Sequence, residues 1–565
     1  MSSSTSAFTR RGFVTTGAAA AGAIAAMPLL SACGSSSAAA STSGVTNQKA
    51  VTSVVPTFKA QTSITPDIPS VVGINGAASD PGFLNFPTNP VKTVSGTIGS
   101  GGTYKTVTPL WGSIPPAGNS YYQAVNAAIG ATLNENPSDG NNYATMLSTL
   151  FASGNIPDWL DVPGWNTAAI QNFDEGVQKY FKDLTPYLSG DNALQYPNLA
   201  AIPTGGWSAG VWNGKLYGIP LWTSAASFSG SIFYRGDIFK SAGIDASTIT
   251  SADALKALGK ELTNKAKGQY AFDDLTTYLY QPFNIPISSG VGYTKDSGGN
   301  FVSKYEMPEF VEMLEFAASL ATSGYVHPSA IAGDSADAKS RFWAGKTVIT
   351  ADGVGAWNGP DAVSGLAANP GYDRQAFNVF AYDGGTPTIG LEAGAGMFSY
   401  LSKTLTDAQV KELLRIANYL AAPFGSAEYL VSRYGKEGTD YTMTSSGPTL
   451  TAEGNKVVTD TFDQLADCQS VTFNAGYNSV TQGHLAWQAD ACKHAYKPLF
   501  WAMNITEPAS TTKATTAIES VITDVRLGRS SISDYQNALT TWKSQAGNTL
   551  RAFYEGVAKQ YGTGD

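Results

Sequence analysis

The chain has 565 residues, more than one hydrophobic core normally organises, so we expect two or more folded units. Only 14% of the residues are charged, and the formal net charge is −9. Binding to nucleic acid depends on clustered Lys and Arg that displace counterions, so this balance argues against a nucleic-acid partner. The 25 Phe, 27 Tyr and 11 Trp can supply both a core and aromatic surfaces that stack on a ligand.

The N-terminus has the pattern of an export signal. Arg10 and Arg11 precede an Ala/Gly-rich apolar run, which is typical of a Tat-type signal over residues 1–32. A retained membrane helix is the alternative, since the run is about long enough to cross a bilayer. The tetrapeptide LSAC that ends at Cys33 resembles the bacterial lipobox, which implies lipid attachment to the outer face of the cytoplasmic membrane. The Ser/Ala-rich residues 33–49 then form a flexible tether.

An irregular lead-in precedes the regular elements. Residues 45–103 are rich in Pro, Thr, Gly and Ser, with no sustained helical period. They nevertheless contain Phe58, Phe83 and Phe86, which need a surface to bury against. We therefore expect an ordered wrap rather than a disordered linker.

Alternating strands and helices follow. The pattern predicts strand Tyr104–Trp111, a helix capped by Asn119 or Ser120 and ended by Gly130, strand Ala131–Asn136, a helix capped by Asn141 and ended by Gly154, and strand Ile156–Val162. This order implies a mainly parallel sheet with right-handed crossovers. Because ligands bind beyond the carboxyl ends of such strands, Trp111 and residues 158–165 are placed near a ligand.

A hairpin and a crossing come next. The sequence Trp212-Asn213-Gly214-Lys215-Leu216 predicts a two-residue Asn-Gly turn between apolar arms. Pro220 cannot donate a hydrogen bond to a neighbouring strand, so we expect regular pairing to stop there. A large aromatic, Trp222, then stands where the chain leaves one folded unit for another.

The second half continues the α/β pattern. It predicts helices Asp253–Lys265, Pro308 to Gly324 and Asp407–Ala421, and a strand that delivers Asp352 and Trp357 to a loop. Around Gly390–Phe398 the chain is expected to cross back to the first unit.

Several stretches resemble one protein family. YPNLAAIP from Tyr196, GKLYGIP from Gly214, SIFYRGDIFKSAGI from Ser231 and the run LLRIANYLAAPFGSAEYLVSRYGKEGTDYT from Leu413 are similar to the extracellular solute-binding proteins of ABC importers, in the branch that binds oligosaccharides. The resemblance implies a two-lobed α/β fold like that of type II periplasmic binding proteins, each lobe a mainly parallel sheet flanked by helices, with several interlobe crossings. It also implies a monomer that delivers its ligand to the transmembrane subunits of an ABC permease.

The resemblance also implies lobe boundaries and a mechanism. We assign residues 50–221 and 393–423 to lobe 1, and residues 222–392 and 424–565 to lobe 2. A ligand that contacts both lobes favours the closed state over the open one, so capture by hinge closure is expected.

The candidate binding residues stand at predicted loops and strand ends. A sugar presents an apolar face that aromatic rings can cover and hydroxyls that polar side chains can bond. The candidates are Trp111, Asp158, Trp165, Trp222, Asp352, Trp357, Glu392 and Trp487. For each Trp the alternative is core packing.

The sequence shows little that favours catalysis. Residues 206–210 fit G-x-S-x-G, but a nucleophile elbow needs a strand before the serine and a helix after it, and the flanking residues indicate neither. Some members of the resembled family carry a calcium loop, whereas the stretch Gly268–Asp274 holds only Asp273 and Asp274, so we expect no metal and no cofactor. A secreted glycoside hydrolase, which needs two opposed carboxylates, and a surface adhesin remain the alternative functions.

Two cysteines follow the lipobox residue. Cys468 and Cys492 form a disulfide in an oxidising compartment or stay as two buried free thiols, and their spacing does not decide between these states.

Overall fold

The computed structural model describes residues 48–224, 228–286 and 291–563. The predicted signal, Cys33 and most of the predicted tether lie outside the described residues. Two separate sheets, each with its own hydrophobic core, dominate the described part, and we refer to them with their helices as the first and second lobes.

The first lobe is built on a five-stranded sheet. Its strands, in spatial order, are Thr132–Glu135, Thr103–Val107, Trp159–Pro163, Met397–Leu401 and Gly218–Leu221. Four strands run in the same direction, and Met397–Leu401 runs against both of its neighbours. This return strand is the predicted crossing back from the second lobe.

Both faces of the five-stranded sheet are buried. Trp159, Leu133 and Leu401 belong to the core on one face, whereas Leu160, Val162 and Tyr400 belong to the core on the other. The period-2 alternation of a strand produces this division, because successive side chains point to opposite faces. The helices of this lobe are Gln48–Val54, Ser120–Ile129, Tyr143–Ser153, Phe173–Tyr180, Thr185–Leu188, Pro197–Ala200, Thr204–Trp207, Asp407–Leu420, Ala427–Tyr434 and Gly454–Val457.

The second lobe is built on a four-stranded sheet. Its spatial order is Tyr270–Phe272, Thr347–Gly353, Gly230–Arg235 and Arg374–Ala376. Here Gly230–Arg235 is the strand that runs against its neighbours. The helices are Gly236–Ala242, Ala252–Leu262, Pro308–Ser323, Pro328–Ile331, Ala338–Trp343, Gly359–Ala368, Asn478–Ala491, Thr512–Arg526, Ile532–Trp542 and Asn548–Tyr561.

Six two-stranded pairs complete the regular structure. They are Gly82–Phe83 with Thr472–Phe473, Pro109–Leu110 with Ser138–Asp139, Val211–Trp212 with Lys215–Leu216, Tyr293–Lys295 with Phe301–Ser303, Ile389–Gly390 with Ala495–Tyr496, and Tyr441–Thr444 with Gly447–Leu450.

Some helix boundaries follow the predicted capping chemistry, but the predicted cap at Asn141 is wrong: helix Tyr143–Ser153 has Asn142 at its N-cap, without a side-chain cap hydrogen bond. Asn119 caps the first predicted helix by accepting a hydrogen bond from Tyr122 N, and Gly130 ends it in the left-handed region. Thr406 and Gln409 form a capping box at the start of Asp407–Leu420. The Asn-Gly hairpin is also present, with Asn213 and Gly214 both at positive φ, as its turn requires.

The expectation that pairing stops at Pro220 is wrong. Pro220 lies within Gly218–Leu221 and stands opposite Phe398 of the return strand. That strand is the edge of the five-stranded sheet, where the missing N–H of a proline faces no further strand.

The lead-in is ordered where the structure describes it, and it contacts both lobes. Thr93 N donates a 3.0 Å hydrogen bond to Oε1 of Glu428 in the first lobe. On the second lobe, Ile74 N donates to Cys492 O at 3.0 Å. We call residues 55–102 the lead-in segment.

The lobe boundary expected at residue 424 does not match the packing of residues 427–466. Phe462 and Leu465 belong to the core of the first lobe, and the Tyr121 hydroxyl donates to Ser432 O at 2.6 Å. Helix Ser120–Ile129 leaves an apolar face that needs a cover, and residues 427–466 provide it. This stretch therefore packs with the first lobe rather than the second.

Candidate functional site

Three exposed tryptophans lie together. The ring centroid of Trp111 is 6.1 Å from that of Trp165 and 6.3 Å from that of Trp222. Their exposed fractions are 43%, 56% and 40%, respectively, whereas most large apolar side chains of the chain are buried. An exposed aromatic cluster of this kind marks an interaction surface. All three are among the candidate binding residues of the sequence analysis, and we call them the tryptophan cluster.

Local structure explains why these rings meet. Trp165 lies in the turn that directly follows Trp159–Pro163, at the carboxyl end of that strand. Trp111 follows the short strand Pro109–Leu110 and lies over Gly140, where an added Cβ would be 2.5 Å from the indole. Strand Thr103–Val107, which leads into Pro109–Leu110, lies parallel to Trp159–Pro163, so the chain after both strands, with both indoles, emerges at the same edge of the five-stranded sheet.

The third indole stands on the crossing segment. Trp222 has φ of +52°, a left-handed conformation that is strained for a bulky residue. Thr223 and Ser224, which follow it, are held in place: Ser470 N donates to Thr223 O at 2.7 Å, and Ser224 N donates to Gly394 O at 3.2 Å. The crossing is thereby fixed while the Trp222 side chain stays exposed.

A cavity of about 700 Å³ lies beside the cluster, and we call it the cleft cavity. Trp165 is part of its wall. The first lobe contributes Val162, Trp212, Phe398 and Tyr400, the second lobe contributes Phe228, Ser229 and Tyr278, and the segments between them contribute Glu392, Gly396 and Asn504. Ligand pockets of proteins commonly measure about 300–1,000 Å³, so this volume suits an organic ligand.

Polar groups converge on the cleft cavity from several segments. Burial raises the pKa of Tyr278, and the negative charges of Asp352 and Glu392 raise it further. The Tyr278 phenol is therefore a protonated donor at neutral pH, and it lines the cavity together with Glu392, whose carboxylate can accept hydrogen bonds from ligand hydroxyls.

Asp352 lies near the wall of the cleft cavity, but its carboxylate is paired with an arginine. Its Oδ2 is 3.4 Å from Arg374 Nη2, and Arg374 is buried between the rings of Phe233 and Phe342. The charge of Asp352 reaches the cavity through its effect on Tyr278.

The structure places three predicted residues elsewhere. Asp158 immediately precedes strand Trp159–Pro163, and its Oδ2 accepts from Lys105 N at 2.8 Å, so it lies at the end of the strand opposite the cleft. Trp357 is only 2% exposed and stacks on His484 at 5.4 Å. Trp487 is buried too and donates from Nε1 to Phe377 O at 3.1 Å. For both tryptophans the structure shows core packing.

The sequence analysis missed some wall residues. The sequence analysis treated Trp212 only as the residue before the Asn-Gly turn, whereas the structure places it in the wall of the cleft cavity. Tyr278 and Asn504 stand in irregular stretches without a periodic pattern, so nothing local marked them. Asn504 contacts the first lobe, since its Nδ2 donates at 2.9 Å to both Ala209 O and Val211 O.

The G-x-S-x-G match does not form a nucleophile elbow. Its first residues end the short helix Thr204–Trp207, and Ser208–Gly210 form a 3-10 turn, so Ser208 does not stand between a strand and a helix. Within residues 48–224, 228–286 and 291–563, no cluster of three or more His, Cys, Asp or Glu side chains is arranged to hold a metal ion. Among the helices of the same residues, none has the length and apolar character needed to cross a bilayer.

Cys468 and Cys492 are free thiols, so the disulfide alternative is wrong. Both are buried, but in different surroundings. Cys492 packs in the core that contains Trp487 and Ala77, whereas Cys468 stands beside Phe424 near the lead-in segment.

Comparison with known proteins adds three findings. The model of a family described as bacterial extracellular solute-binding protein matches residues 120–429. A carbohydrate ABC transporter substrate-binding protein of Streptococcus pneumoniae serotype 4 is 25% identical over 203 residues, which are 35% of this chain and 39% of that relative. The match thus spans well under half of the relative's length.

Solved structures share the fold. The N-glycan transport solute binding protein (NgtS) from Streptococcus pneumoniae superposes with a TM-score of 0.57 at 17% identity, covering 82% of this chain and 100% of that one. An HMO-binding, ABC-transporter-associated solute binding protein from Bifidobacterium longum infantis gives 0.57 at 14% identity, covering 82% and 99%. At these identities the likeness shows the two-lobed α/β fold.

Proposed function

The chain belongs to the bacterial extracellular solute-binding proteins, and we propose that it captures a carbohydrate, most simply an oligosaccharide, and delivers it to an ABC permease. The observation that carries this proposal is the tryptophan cluster beside a cavity walled by both lobes. Flat indoles suit the apolar C–H faces of sugar rings, and the polar wall suits their hydroxyls. The names of the curated relative and of the solved neighbours support the same ligand class.

Capture proceeds by hinge closure. A ligand in the cleft cavity contacts Trp165 and Phe398 on one lobe and Phe228 and Tyr278 on the other. Such a ligand binds the closed state more tightly and shifts the equilibrium toward it. We assign the first lobe to residues 50–221 and 393–466 and the second to residues 222–392 and 467–565. The lead-in segment falls within the first of these ranges and also contacts the second lobe.

The ligand leaves chemically unchanged. A glycoside hydrolase needs two carboxyl groups about 5–9.5 Å apart across the scissile bond. Among the described residues that line the cleft cavity, Glu392 is the sole carboxylate. The nearby Asp352 is paired with Arg374, which supports a carrier rather than an enzyme.

Export and anchoring complete the proposal. A lipid on Cys33 attaches the protein to the outer face of the cytoplasmic membrane, and the protein acts there as a monomer. Cys33→Ser should move the protein from the membrane fraction into the medium, as fractionation and immunoblotting would show. Continued membrane retention of the variant would favour a membrane-spanning N-terminus instead.

A binding panel tests the main proposal. The purified protein is titrated calorimetrically with oligosaccharides of different composition and length, and each sugar is recovered afterwards and analysed by mass spectrometry. Stoichiometric binding of one class with unchanged sugar is expected. Turnover of any sugar would show an enzyme, and silence across the panel would exclude the carbohydrate class.

A further inference from the structure

The wall of the cleft cavity carries negative charge. Glu392 stands half-buried in that wall, and its charge adds to burial in raising the pKa of Tyr278. Asp352, near the wall, has the same effect on Tyr278. Both carboxylates therefore act on groups that face the cavity, and a ligand inside it meets their charge.

The described part of the wall holds no cationic side chain. Among the residues that the structure describes, no Lys, Arg or His lines the cleft cavity. The residues between the described ranges, 225–227 and 287–290, are Ala, Ile, Ser and Gly, so they supply no charged side chain either. A ligand carboxylate would find no ion-pair partner among these residues.

Two cations in the surrounding segments are already engaged. Arg374 is buried and lies 3.4 Å from a carboxylate oxygen of Asp352 and 3.4 Å from one of Asp361. Lys497 Nζ lies over the ring of Trp501, 4.6 Å from its centroid. Neither cation lines the cleft cavity, so neither is placed to receive a ligand anion there.

Polar side chains of the wall direct their donors to backbone carbonyls. The Tyr278 hydroxyl donates to Ser229 O at 3.2 Å, and the Thr167 hydroxyl donates to a carbonyl of its own turn at 2.8 Å. Both hydrogens of the Asn504 amide are used, since its Nδ2 donates to two carbonyls of the first lobe. What these side chains offer a ligand is acceptor capacity, as does the carboxylate of Glu392.

We propose that the cleft cavity selects uncharged oligosaccharides and rejects those that carry carboxylates, such as uronates and sialic acids, with Glu392 as the specificity-determining residue. The inference rests on the carbohydrate function proposed above and narrows its ligand class. Sugar hydroxyls can donate to an acceptor-rich wall, whereas an ionised carboxylate can only accept. An anion in the cavity also loses its hydration without gaining a cation, and it is repelled by Glu392.

The test presents the same sugar in three forms that differ at C6. Methyl glycosides of maltotetraose, cellotetraose and β-1,4-mannotetraose, and of any further sugar that the binding panel identifies, are prepared as the alcohol, the carboxylate and the carboxamide. Each is titrated calorimetrically into the full chain at pH 7. We expect the alcohol to bind about 100-fold more tightly than the carboxylate. The carboxamide has the shape of the carboxylate without its charge and should recover most of the affinity.

A variant assigns the charge effect to one residue. Glu392→Gln keeps the size of the side chain and removes its charge, so the preference for the alcohol over the carboxylate should fall about tenfold. Glu555→Gln is the same substitution at an exposed position of helix Asn548–Tyr561, and it should leave the preference unchanged.

The outcomes separate this inference from the carbohydrate function. Equal or tighter binding of a carboxylate form would overturn the inference and leave the carbohydrate function intact. A carboxamide that binds as weakly as the carboxylate would also overturn it, because shape rather than charge would then cause the rejection. An unchanged preference in Glu392→Gln would overturn the role of Glu392. Silence of every form across the whole panel would overturn the inference together with the carbohydrate function.

Discussion

The indole rings of Trp111 and Trp222 lie 6.3 Å apart, centroid to centroid, with their planes at 42°. Trp111 stands on a loop of the first lobe, whereas Trp222 stands on the segment that leaves for the second. The aromatic surface that a ligand can stack on therefore includes the segment on which the chain crosses to the second lobe. A ligand that covers this surface contacts a segment that must change when the lobes move, which connects binding to closure.

Trp222→Ala should weaken binding of the oligosaccharide found in the panel by about 1–3 kcal/mol, because the variant loses one stacking ring. Calorimetric titration measures the change. Val363→Ala removes another exposed apolar side chain, on helix Gly359–Ala368, and should leave affinity unchanged. Unchanged affinity in Trp222→Ala would show that Trp222 is not part of the binding surface.

Trp222→Gly should be more stable to urea than Trp222→Ala by about 1 kcal/mol, since glycine adopts the left-handed conformation without the steric cost that alanine bears. Both variants lack the ring, so their losses of affinity should be equal. This pair separates backbone strain from stacking. Equal stabilities would show that the positive φ at residue 222 carries no cost.

The losses of binding free energy caused by removing Trp111 and Trp165 should be non-additive. Their rings are 6.1 Å apart, so each helps to hold the other in its binding orientation. In a cycle of Trp111→Ala, Trp165→Ala and the double variant, we expect a coupling of about 0.5–1.5 kcal/mol in binding free energy. Strict additivity would mean that the rings contact the ligand independently.

Local chemistry predicted local structure well, because caps and turns depend on neighbouring residues. Asn119, Gly130 and the Asn213-Gly214 turn all stand where the pattern placed them. The edge position of Pro220 depended on the return strand from residue 397, which no local pattern reveals.

The candidate tryptophans show the same limit. Trp222 and Trp357 both follow strands and were equally plausible in the sequence. Trp357 is covered by His484, on a helix that begins more than a hundred residues later, whereas Trp222 stays exposed. Whether a strand-end aromatic meets ligand or core is decided by such distant packing, so sequence alone could not rank the two.

Asp80 links the lead-in segment to the crossing and to a helix of the second lobe. Its carboxylate accepts from Ser224 Oγ at 2.7 Å and from Gln488 Nε2 at 2.9 Å. Burial raises the pKa of Asp80 to about 6, although these two hydrogen bonds lower it. In the unfolded chain the pKa of this carboxyl has its ordinary value near 3.8. Between about pH 4 and pH 6 the folded state therefore binds more protons at Asp80 than the unfolded state does.

Stability from Asp80 is therefore present below about pH 4 and is lost as pH rises toward 6. Asp80→Asn cannot ionise, so its unfolding free energy relative to wild type should increase by about 2 kcal/mol between pH 4 and pH 7. Urea unfolding at pH 4, 5, 6 and 7 measures this change. Any pH-independent effect of the asparagine side chain on stability cancels in the comparison.

Asp296→Asn is the control that should stay flat. Hydrogen bonds from Asn300 and Gly298 lower the pKa of this exposed carboxyl, so the wild type gains that stability as pH rises from the lowered pKa to the ordinary value near 3.8, and its difference from the variant should stay nearly constant between pH 4 and pH 7. A difference between Asp80→Asn and wild type that stays constant from pH 4 to pH 7 would show that Asp80 ionises in the folded protein as easily as in the unfolded chain.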